Sequence, residues 1–323
     1  MDWGAVFGAA AIVPWLQSGI RLAMPVACAA AGETIGQRSG VINLGLEGMM
    51  LGGALGAFLL SLQTGNTWLG FLAGPLVGAL LALLMGLFTI KLKAEQVVTG
   101  IVFVLLAGGL SSFLYQELFE VQTAPPHIER LPTVEVPLLH SIPGIGPIVF
   151  EQNVLVYVAV ALIALLWLLL FRTRFGLAVR AAGEAPAAAD AAGVPVDTVR
   201  MISLTISGAM AGVGGALLVI AQLGFYQEQV TAGRGWIAIA LVYFSRWNPL
   251  WAAGGAVLFG VVDALQLRIQ AAGGGFHNPI PFEVFQALPY LATLAVLLFA
   301  AKRQQRVGQP AALGIAYEKE ATV

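Results

Sequence analysis

The sequence has few of the charges that a soluble protein needs. Charged residues make up 10% of its 323 residues, whereas hydrophobic residues make up 59%. A soluble chain of this length could not cover its surface with so few charges, and the mean hydropathy of +0.86 agrees with that. This composition is typical of a polytopic membrane protein. The net charge of -1 gives no reason to expect a nucleic-acid partner.

Residues that carry metal, redox or phosphate chemistry are also scarce. A single cysteine, Cys28, excludes an intramolecular disulfide and a cysteine metal cluster. The three histidines lie far apart in predicted loops, and we interpret them as ordinary polar residues. No lysine follows a glycine, which excludes a phosphate-binding loop, and HExxH, GxSxG and CxxC motifs are absent. We therefore expect no metal, no cofactor and no catalytic activity in this chain.

Long apolar runs predict the fold class. Crossing the hydrocarbon core of a bilayer takes about 20 helical residues. A shorter run, Ile237–Phe244, lies between Gly233-Arg234-Gly235 and an Arg-Trp-Asn-Pro turn, so we expect a broken or re-entrant helix there. The predicted class is all-α, a polytopic transmembrane helical bundle with about 8–10 spans, including broken or re-entrant helices. The candidate spans are 15–34, 41–62, 68–90, 96–114, 152–171, 201–222, 249–270 and 284–301.

Positive residues in short loops predict the orientation. Lys91, Lys93, the arginines of 172–200 and the basic residues after 301 mark the cytoplasmic side. The segment 116–153 has one arginine among several glutamates and prolines, and it should form an external loop. We therefore predict one transmembrane domain, residues 1–301, in the cell (inner) membrane, followed by a cytoplasmic tail, 302–323. The N-terminus is expected outside.

Polar residues inside the second apolar run are candidates for a solute path. Asn43 and Glu47 are four residues apart and share a helix face. An ionised glutamate at mid-bilayer costs roughly 2.5 kcal/mol or more, so it needs a partner, a water-filled cavity or a proton. We predict that both residues line a path; the alternatives are a buried structural hydrogen-bond network and a position near the interface. Small-residue faces for close helix packing are predicted at Gly48, Gly52 and Gly56, and again at Gly208 and Gly212.

Two further polar sets extend the predicted path. Asp263 and Gln266 share one face of the run 257–271, and Gln96 and Thr99 lie just inside the span that follows Lys93. The alternative for the first pair is packing between helices. For the second pair, the alternative is that the charges nearby simply mark a cytoplasmic helix boundary.

The segment Arg172–Arg200 reads RTRFGLAVRAAGEAPAAADAAGVPVDTVR and is far longer than a simple link between two spans. Pro186 suits a first helical position, and Gly193 suits the position just past a helix end. A short helix of small residues, flanked by arginines at the membrane surface, is typical of a docking element for a cytoplasmic partner. The predicted contact residues are Arg180, Gly183, Glu184, Asp190 and Gly193.

Five segments along the chain together form a family pattern, namely QRSGVINLGLEGMML (Gln37–Leu51), GLAVRAAGEAPAAADAAGV (Gly176–Val194), GRGWIAIALVYFSRWNPL (Gly233–Leu250), FGVVDALQLRIQ (Phe259–Gln270) and PYLATLAVLL (Pro289–Leu298). In these segments the chain resembles the membrane permease subunit of ABC importers for simple sugars and nucleosides, the branch served by binding lipoproteins of the basic-membrane-protein type. The family commonly has a Glu-Arg pair where this chain has Gln37-Arg38. The NLGLEGMM form is similar to the shorter of two paired permeases.

The resemblance implies a heterodimer with a second permease, cytoplasmic ABC ATPases, and an external substrate-binding lipoprotein that delivers a small solute. It places the coupling helix near Gly183–Gly193. Nucleosides or related ribose-containing solutes are the leading expectation, and a riboflavin-like vitamin or a simple sugar stays open. From another class, an ion-coupled secondary carrier would favour inverted repeats and isolated intramembrane carboxylates. No convincing inverted repeat is visible, but Glu47 and Asp263 keep that alternative open.

Overall fold

The computed structural model describes residues 8–119, 126–137, 139–272, 287–288, 291, 294 and 308–318. Within these residues the chain is built almost entirely of helices. Two short strands form one antiparallel pair, in which Thr133 lies opposite Asn153. The helices are α1 Ala9–Arg38, α2 Leu46–Thr64, α3 Thr67–Gly86, α4 Gln96–Phe119, α5 Ile145–Phe150, α6 Val154–Arg172, α7 Arg174–Glu184, α8 Pro186–Ala191, α9 Val196–Ala216, α10 Arg234–Phe244 and α11 Pro249–Ala272. The strands are β1 Thr133–Glu135 and β2 Glu151–Asn153. Two π-helical turns, Leu87–Lys91 and Leu217–Leu223, extend α3 and α9.

Six of these helices are long and apolar enough to cross a membrane, namely α2, α3, α4, α6, α9 and α11. The predicted class, an all-helical polytopic bundle, is therefore confirmed. The first predicted span lies within α1, a continuous helix of 30 residues that contains Pro14 and Pro25. The short run after Gly235 forms α10, whose 11 residues are too few to cross. The predicted span 284–301 lies outside the described residues, apart from four isolated positions.

Helices α1 and α9 form the centre of the bundle. α1 packs along α11 and α9, and α9 also packs along α3 and α2. Glycines allow the closest of these approaches. A Cβ atom at Gly212 would lie 2.1 Å from the carbonyl oxygen of Gly74, and one at Gly78 would lie 2.1 Å from that of Gly208. No side chain fits at such distances, so the α3–α9 contact is a direct contact between backbones.

Short polar side chains mark where several helices begin. Asn66 Oδ1 accepts hydrogen bonds from the amides that open α3, and Asn153 and Thr173 do the same for α6 and α7. The carboxylate of Glu95 accepts from the amides of Val97 and Val98 at the start of α4. These backbone hydrogen bonds lower the pKa of Glu95. The predicted helix boundary after Lys93 is thus confirmed.

The loops that were assigned to one membrane side lie together at one end of the bundle. Lys93 Nζ lies 3.3 Å from Asp197 Oδ1, and Lys91 Nζ lies 3.6 Å from the other oxygen. The opposite end carries the segment predicted as external, because the backbone oxygen of Glu151 accepts from Gln17 Nε2 near the start of α1 at 2.7 Å. Which of the two ends faces the cytoplasm stays a prediction.

Candidate functional site

The buried side chain of Glu47, in the first turn of α2, holds the start of α10. Its Oε1 accepts from the Thr231 hydroxyl at 2.6 Å and from the Gly233 amide at 2.8 Å, and its Oε2 accepts from the Gly235 amide at 2.6 Å. The first amides of a helix have no partner within the helix, and the helix dipole favours a negative charge beside them. A carboxylate supplied by α2 therefore caps the N-terminus of α10.

The backbone before α10 adopts conformations that are rare for residues with a side chain. Gln229 and Ala232 have φ values of 56° and 46°, in the left-handed region that residues with a Cβ rarely adopt. At Gly235 the absence of a side chain is essential, since a Cβ atom would lie 2.6 Å from Glu47 Cα. The turn before α10 therefore packs directly against Glu47.

A buried ion pair joins the same turn to α11. Arg234 Nη2 lies 3.3 Å from Asp263 Oδ2, and both side chains are largely buried. Gln266, one turn further along α11, is also buried. The structure therefore brings two of the predicted path residues, Glu47 and Asp263, to opposite sides of one short turn. Removing one partner of a buried ion pair is strongly destabilising, because the other charge is left uncompensated.

A second polar cluster surrounds Glu33, which is not among the predicted path residues. Its Oε1 accepts from Gln37 Nε2 at 2.9 Å and from the Asn43 amide at 3.1 Å, and its Oε2 accepts from the Ser207 hydroxyl at 2.7 Å. All four residues are fully buried. Trp247 Nε1 extends the cluster with a hydrogen bond of 2.8 Å to Gln37 Oε1. The network joins α1 to α9 and to the turn between α10 and α11.

The remaining predicted path residues make hydrogen bonds within the protein. Asn43 Nδ2 donates to Ser207 Oγ at 3.1 Å, while no donor among the described residues reaches Asn43 Oδ1. Gln96 Oε1 accepts from the Ile42 amide at 2.9 Å. The Thr99 hydroxyl donates to the carbonyl oxygen of Glu95, the residue just before α4, at 2.7 Å. These contacts favour the alternative of a structural network for Asn43 and Glu47, and a role in lining a path stays a prediction.

A cavity of about 270 Å³ opens between α2, α3 and α4. Among the residues that line it, Ser111 is the single polar side chain, and none of the predicted path residues is present. Walls of this kind suit hydrocarbon rather than a hydroxyl-rich solute. Gly52 and Gly56 lie on one side of the cavity, and Cβ atoms there would lie 2.9 Å from Leu81 and 2.8 Å from Val77 of α3. Gly48 lies against α4, where a Cβ atom would be 2.8 Å from the Phe103 carbonyl oxygen.

The segment between α6 and α9 contains a short helix that is bounded by the residues predicted from the sequence. Pro186 is the first residue of α8, and Gly193 follows that helix with φ +85°. The Gly193 amide donates to the Asp190 carbonyl at 2.9 Å, which closes the turn. The prediction of a separate short helix between two spans is therefore confirmed.

The predicted docking residues occupy two different environments. A Cβ atom at Gly183 would lie 2.1 Å from the Arg38 carbonyl oxygen, so the end of α7 rests on the end of α1. Arg180 lies over the Phe171 ring, 5.6 Å from its centroid. Glu184 is exposed at the surface, and Asp190 is half-buried.

Several residues of these clusters were missed in the sequence. Glu33 carried the clearest signal, because it is an acid within an apolar run, as Glu47 and Asp263 are. Ser207 lies in a glycine-rich stretch whose pattern indicated only helix packing. For Thr231 and Trp247 no local pattern points to a role, since both acquire one only through distant contacts.

The chain matches a protein-family model and several curated proteins. The model is described as a branched-chain amino acid transport system / permease component, and it matches residues 16–300. TsgC13 of Haloferax volcanii, provisionally named a glucose ABC transporter permease, is 38% identical over 94% of this chain and 97% of its own length. The nucleoside ABC transporter permease NupC of Lactococcus lactis is 36% identical over 86% of this chain and 89% of its own. The guanosine ABC transporter permease NupQ of Bacillus subtilis is 32% identical over 85% and 88%.

Proposed function

The chain belongs to the permease-component family of ABC transport systems, and we propose that it is one of two permeases of an ATP-driven importer for nucleosides or related sugar-containing solutes. The observation that carries this proposal is the similarity to permeases of that kind along nearly the whole chain. A simple sugar is the first alternative, since two relatives are named for glucose. A riboflavin-like vitamin is the second.

The proposed importer needs partners that supply energy and solute. Family membership implies an ATPase and a solute-binding protein. We assign ATP hydrolysis to a separate cytoplasmic subunit, because the sequence offers no phosphate-binding loop. We further propose that a second, different permease completes the membrane part and that an external lipoprotein delivers the solute. The C-terminus then lies in the cytoplasm.

We propose that α7 and α8 form the contact with the ATPase. Ala187 and Ala188 are exposed on α8, and their small side chains would let another protein approach closely. Glu184 is an exposed charge beside them, which can fix the orientation of a partner. The positively charged loops around Lys93 lie at the same end of the bundle, as the positive-inside rule requires of a cytoplasmic face.

Contacts within the chain offer a route by which movement of α7 could reach the interior. Gly183 rests on the backbone of Arg38, and Arg38 donates to the carbonyl oxygens of Arg246 and Trp247 at 3.1 and 3.0 Å. Those two residues lie in the turn that follows the C-terminal end of α10, and Glu47 holds the N-terminal end of the same helix. A push on α7 would therefore bear on α1, which carries the buried Glu33, and on α10, whose start is held by the buried Glu47.

A charge reversal tests the coupling. Glu184→Arg should leave membrane accumulation unchanged but lower ATP-driven uptake, because it changes the sign of an exposed charge in the proposed contact. Glu135→Arg is the matched control, since Glu135 is an exposed acid at the opposite end of the bundle. Equal uptake by both variants would remove the support for docking at α7 and α8.

Uptake by the complete complex tests the solute class. Labelled guanosine should accumulate, and excess unlabelled guanosine or adenosine should compete, whereas glucose should not. Accumulation of glucose with no competition by nucleosides would favour the sugar alternative.

A further inference from the structure

The last described residues of the chain, 308–318, lie across the end of the bundle where α1, α7 and α9 meet. We name them the C-terminal strap. The Ala312 amide donates to the Gly183 carbonyl at 2.8 Å, and the Gly314 amide donates to the Gly40 carbonyl at 2.9 Å. Arg200, on α9, donates from Nη1 to the Ile315 carbonyl at 2.9 Å. The strap is therefore bound to three separate elements through its backbone.

The side chains of the strap divide into an inner and an outer set. Pro310 and Ala312 are buried against the bundle. The inner approach is close, because a Cβ atom at Gly40 would lie 3.1 Å from the Ala312 carbonyl oxygen. Ala316 is exposed, and Ile315 exposes 59% of its surface. The outer set thus presents an apolar side chain at an end of the bundle that is rich in charges.

The strap is continuous with the segment proposed to contact the ATPase. Its Ala312 binds the carbonyl of Gly183, the penultimate residue of α7, and its Ala311 amide donates to Glu184 Oε2 at 3.3 Å. A protein that covers Glu184 would therefore also meet the strap, since the two are in direct contact.

We propose that the C-terminal strap forms part of the docking surface for the ATPase, together with α7 and α8, and that it fixes the end of α7 in position there. This inference rests on the proposed function. Two features favour the ATPase over the bilayer as the partner. The strap contains no lysine or arginine to attract anionic lipid headgroups, and its outer set, apart from Ile315, consists of small or polar residues.

Site-specific photo-crosslinking in the assembled complex tests the contact. The photoreactive amino acid p-benzoylphenylalanine replaces Ile315, or Ala188 on α8, or Ile145. Ile145 is the matched control, because it is the same residue type with the same exposed fraction, 59%, at the opposite end of the bundle. Irradiation should produce a permease–ATPase adduct from positions 315 and 188 and none from position 145.

The three positions separate failure of the inference from failure of the proposed function. An adduct from position 188 without one from position 315 would overturn the inference and leave the proposed function standing. No ATPase adduct from either position in an intact complex would overturn both. Lipid adducts alone from position 315 would also overturn the inference, since they would place the strap against the bilayer.

Truncation gives a second measurement. A chain that ends after Val307 lacks the strap, whereas a chain that ends after Glu318 keeps it and serves as the control. The first truncation should weaken ATPase binding about tenfold, which corresponds to about 1.4 kcal/mol, and the second should not. Unchanged binding after the first truncation would overturn the inference. Crosslinking uses the full-length chain, so it decides the matter even if the shorter chain fails to accumulate.

Discussion

Replacing Glu47 with glutamine should destabilise the bundle although the two side chains have nearly the same size. Both oxygens of Glu47 act as acceptors, with Thr231 and Gly233 on one and Gly235 on the other. A glutamine has one acceptor oxygen, so its amide group would face an N–H or hydroxyl donor on the other side. One hydrogen bond to a charged group is worth about 1.5–3 kcal/mol. The lost charge beside the helix N-terminus adds about 0.3–1 kcal/mol.

Together these effects predict a loss of about 2–4 kcal/mol in the free energy of unfolding for Glu47→Gln. Glu47→Leu should cost more, because it leaves all three donors without an acceptor. The measurement is unfolding of the purified permease by titration with SDS in mixed micelles, followed by the helical signal. Glu228→Gln is the matched control, since Glu228 is an exposed acid of the same turn that accepts one hydrogen bond, from Gln116 at 2.8 Å. Its effect should stay below about 0.5 kcal/mol.

A Glu47→Gln variant as stable as the parent would refute this reasoning. The start of α10 would then not depend on the carboxylate, and Glu47 would be free to face a solute path, as the sequence alone suggested. Reduced transport with unchanged stability would point in the same direction, because a side chain that only holds α10 should affect both.

Three further predictions concern the backbone contact and the ion pairs, and the same titration measures each of them. Gly212→Ala should destabilise the protein far more than Gly52→Ala. The new methyl group would lie 2.1 Å from a backbone oxygen at position 212, but 2.9 Å from the movable end of a side chain at position 52. Equal effects would contradict the backbone contact between α3 and α9. Asp263→Asn alone should lower the free energy of unfolding by about 3–5 kcal/mol, and adding Arg234→Gln should recover part of that loss. If the double variant loses as much stability as the two single variants added together, the ion pair contributes no coupling. Lys93→Gln should change the free energy of unfolding by less than about 1 kcal/mol, since the ion pair of Lys93 with Asp197 lies near the surface. A larger loss would contradict the assignment of this pair as a weak surface ion pair.

Local patterns predicted the helix ends, because those depend on neighbouring residues. Pro186 and Gly193 delimit α8 as expected, since a missing amide proton and a left-handed conformation are properties of the residues themselves. Glu95 marks the start of α4 for a similar local reason. Hydrophobic runs predicted the long helices because their length must match the bilayer.

The partners of the buried acids could not be predicted in this way. Nothing in the sequence near Glu47 shows that its acceptors serve Gly233 and Gly235, because that contact depends on how α2 and α10 pack. The cluster around Glu33 has the same origin, with Ser207 arriving from a distant helix. The sequence could indicate that an intramembrane acid needs a partner, but not which residue supplies it.

The C-terminal strap illustrates the same limit. Its composition gives no helical or strand periodicity, and from composition alone it was expected to be a simple cytoplasmic tail. Its attachment uses backbone groups, such as the Ala312 amide and the Ile315 carbonyl, which every residue possesses. A pattern of side chains carries no information about such contacts.

The most direct test of the proposed function is uptake by the purified complex in liposomes, with the energy source as the variable. The complex contains this permease, its partner permease, the ATPase and the binding protein. Solute should accumulate when the ATPase is supplied with ATP and should not accumulate when a proton or sodium gradient is the only energy source. Accumulation by the permease alone, driven by an ion gradient without ATP, would contradict the account and identify an ion-coupled carrier.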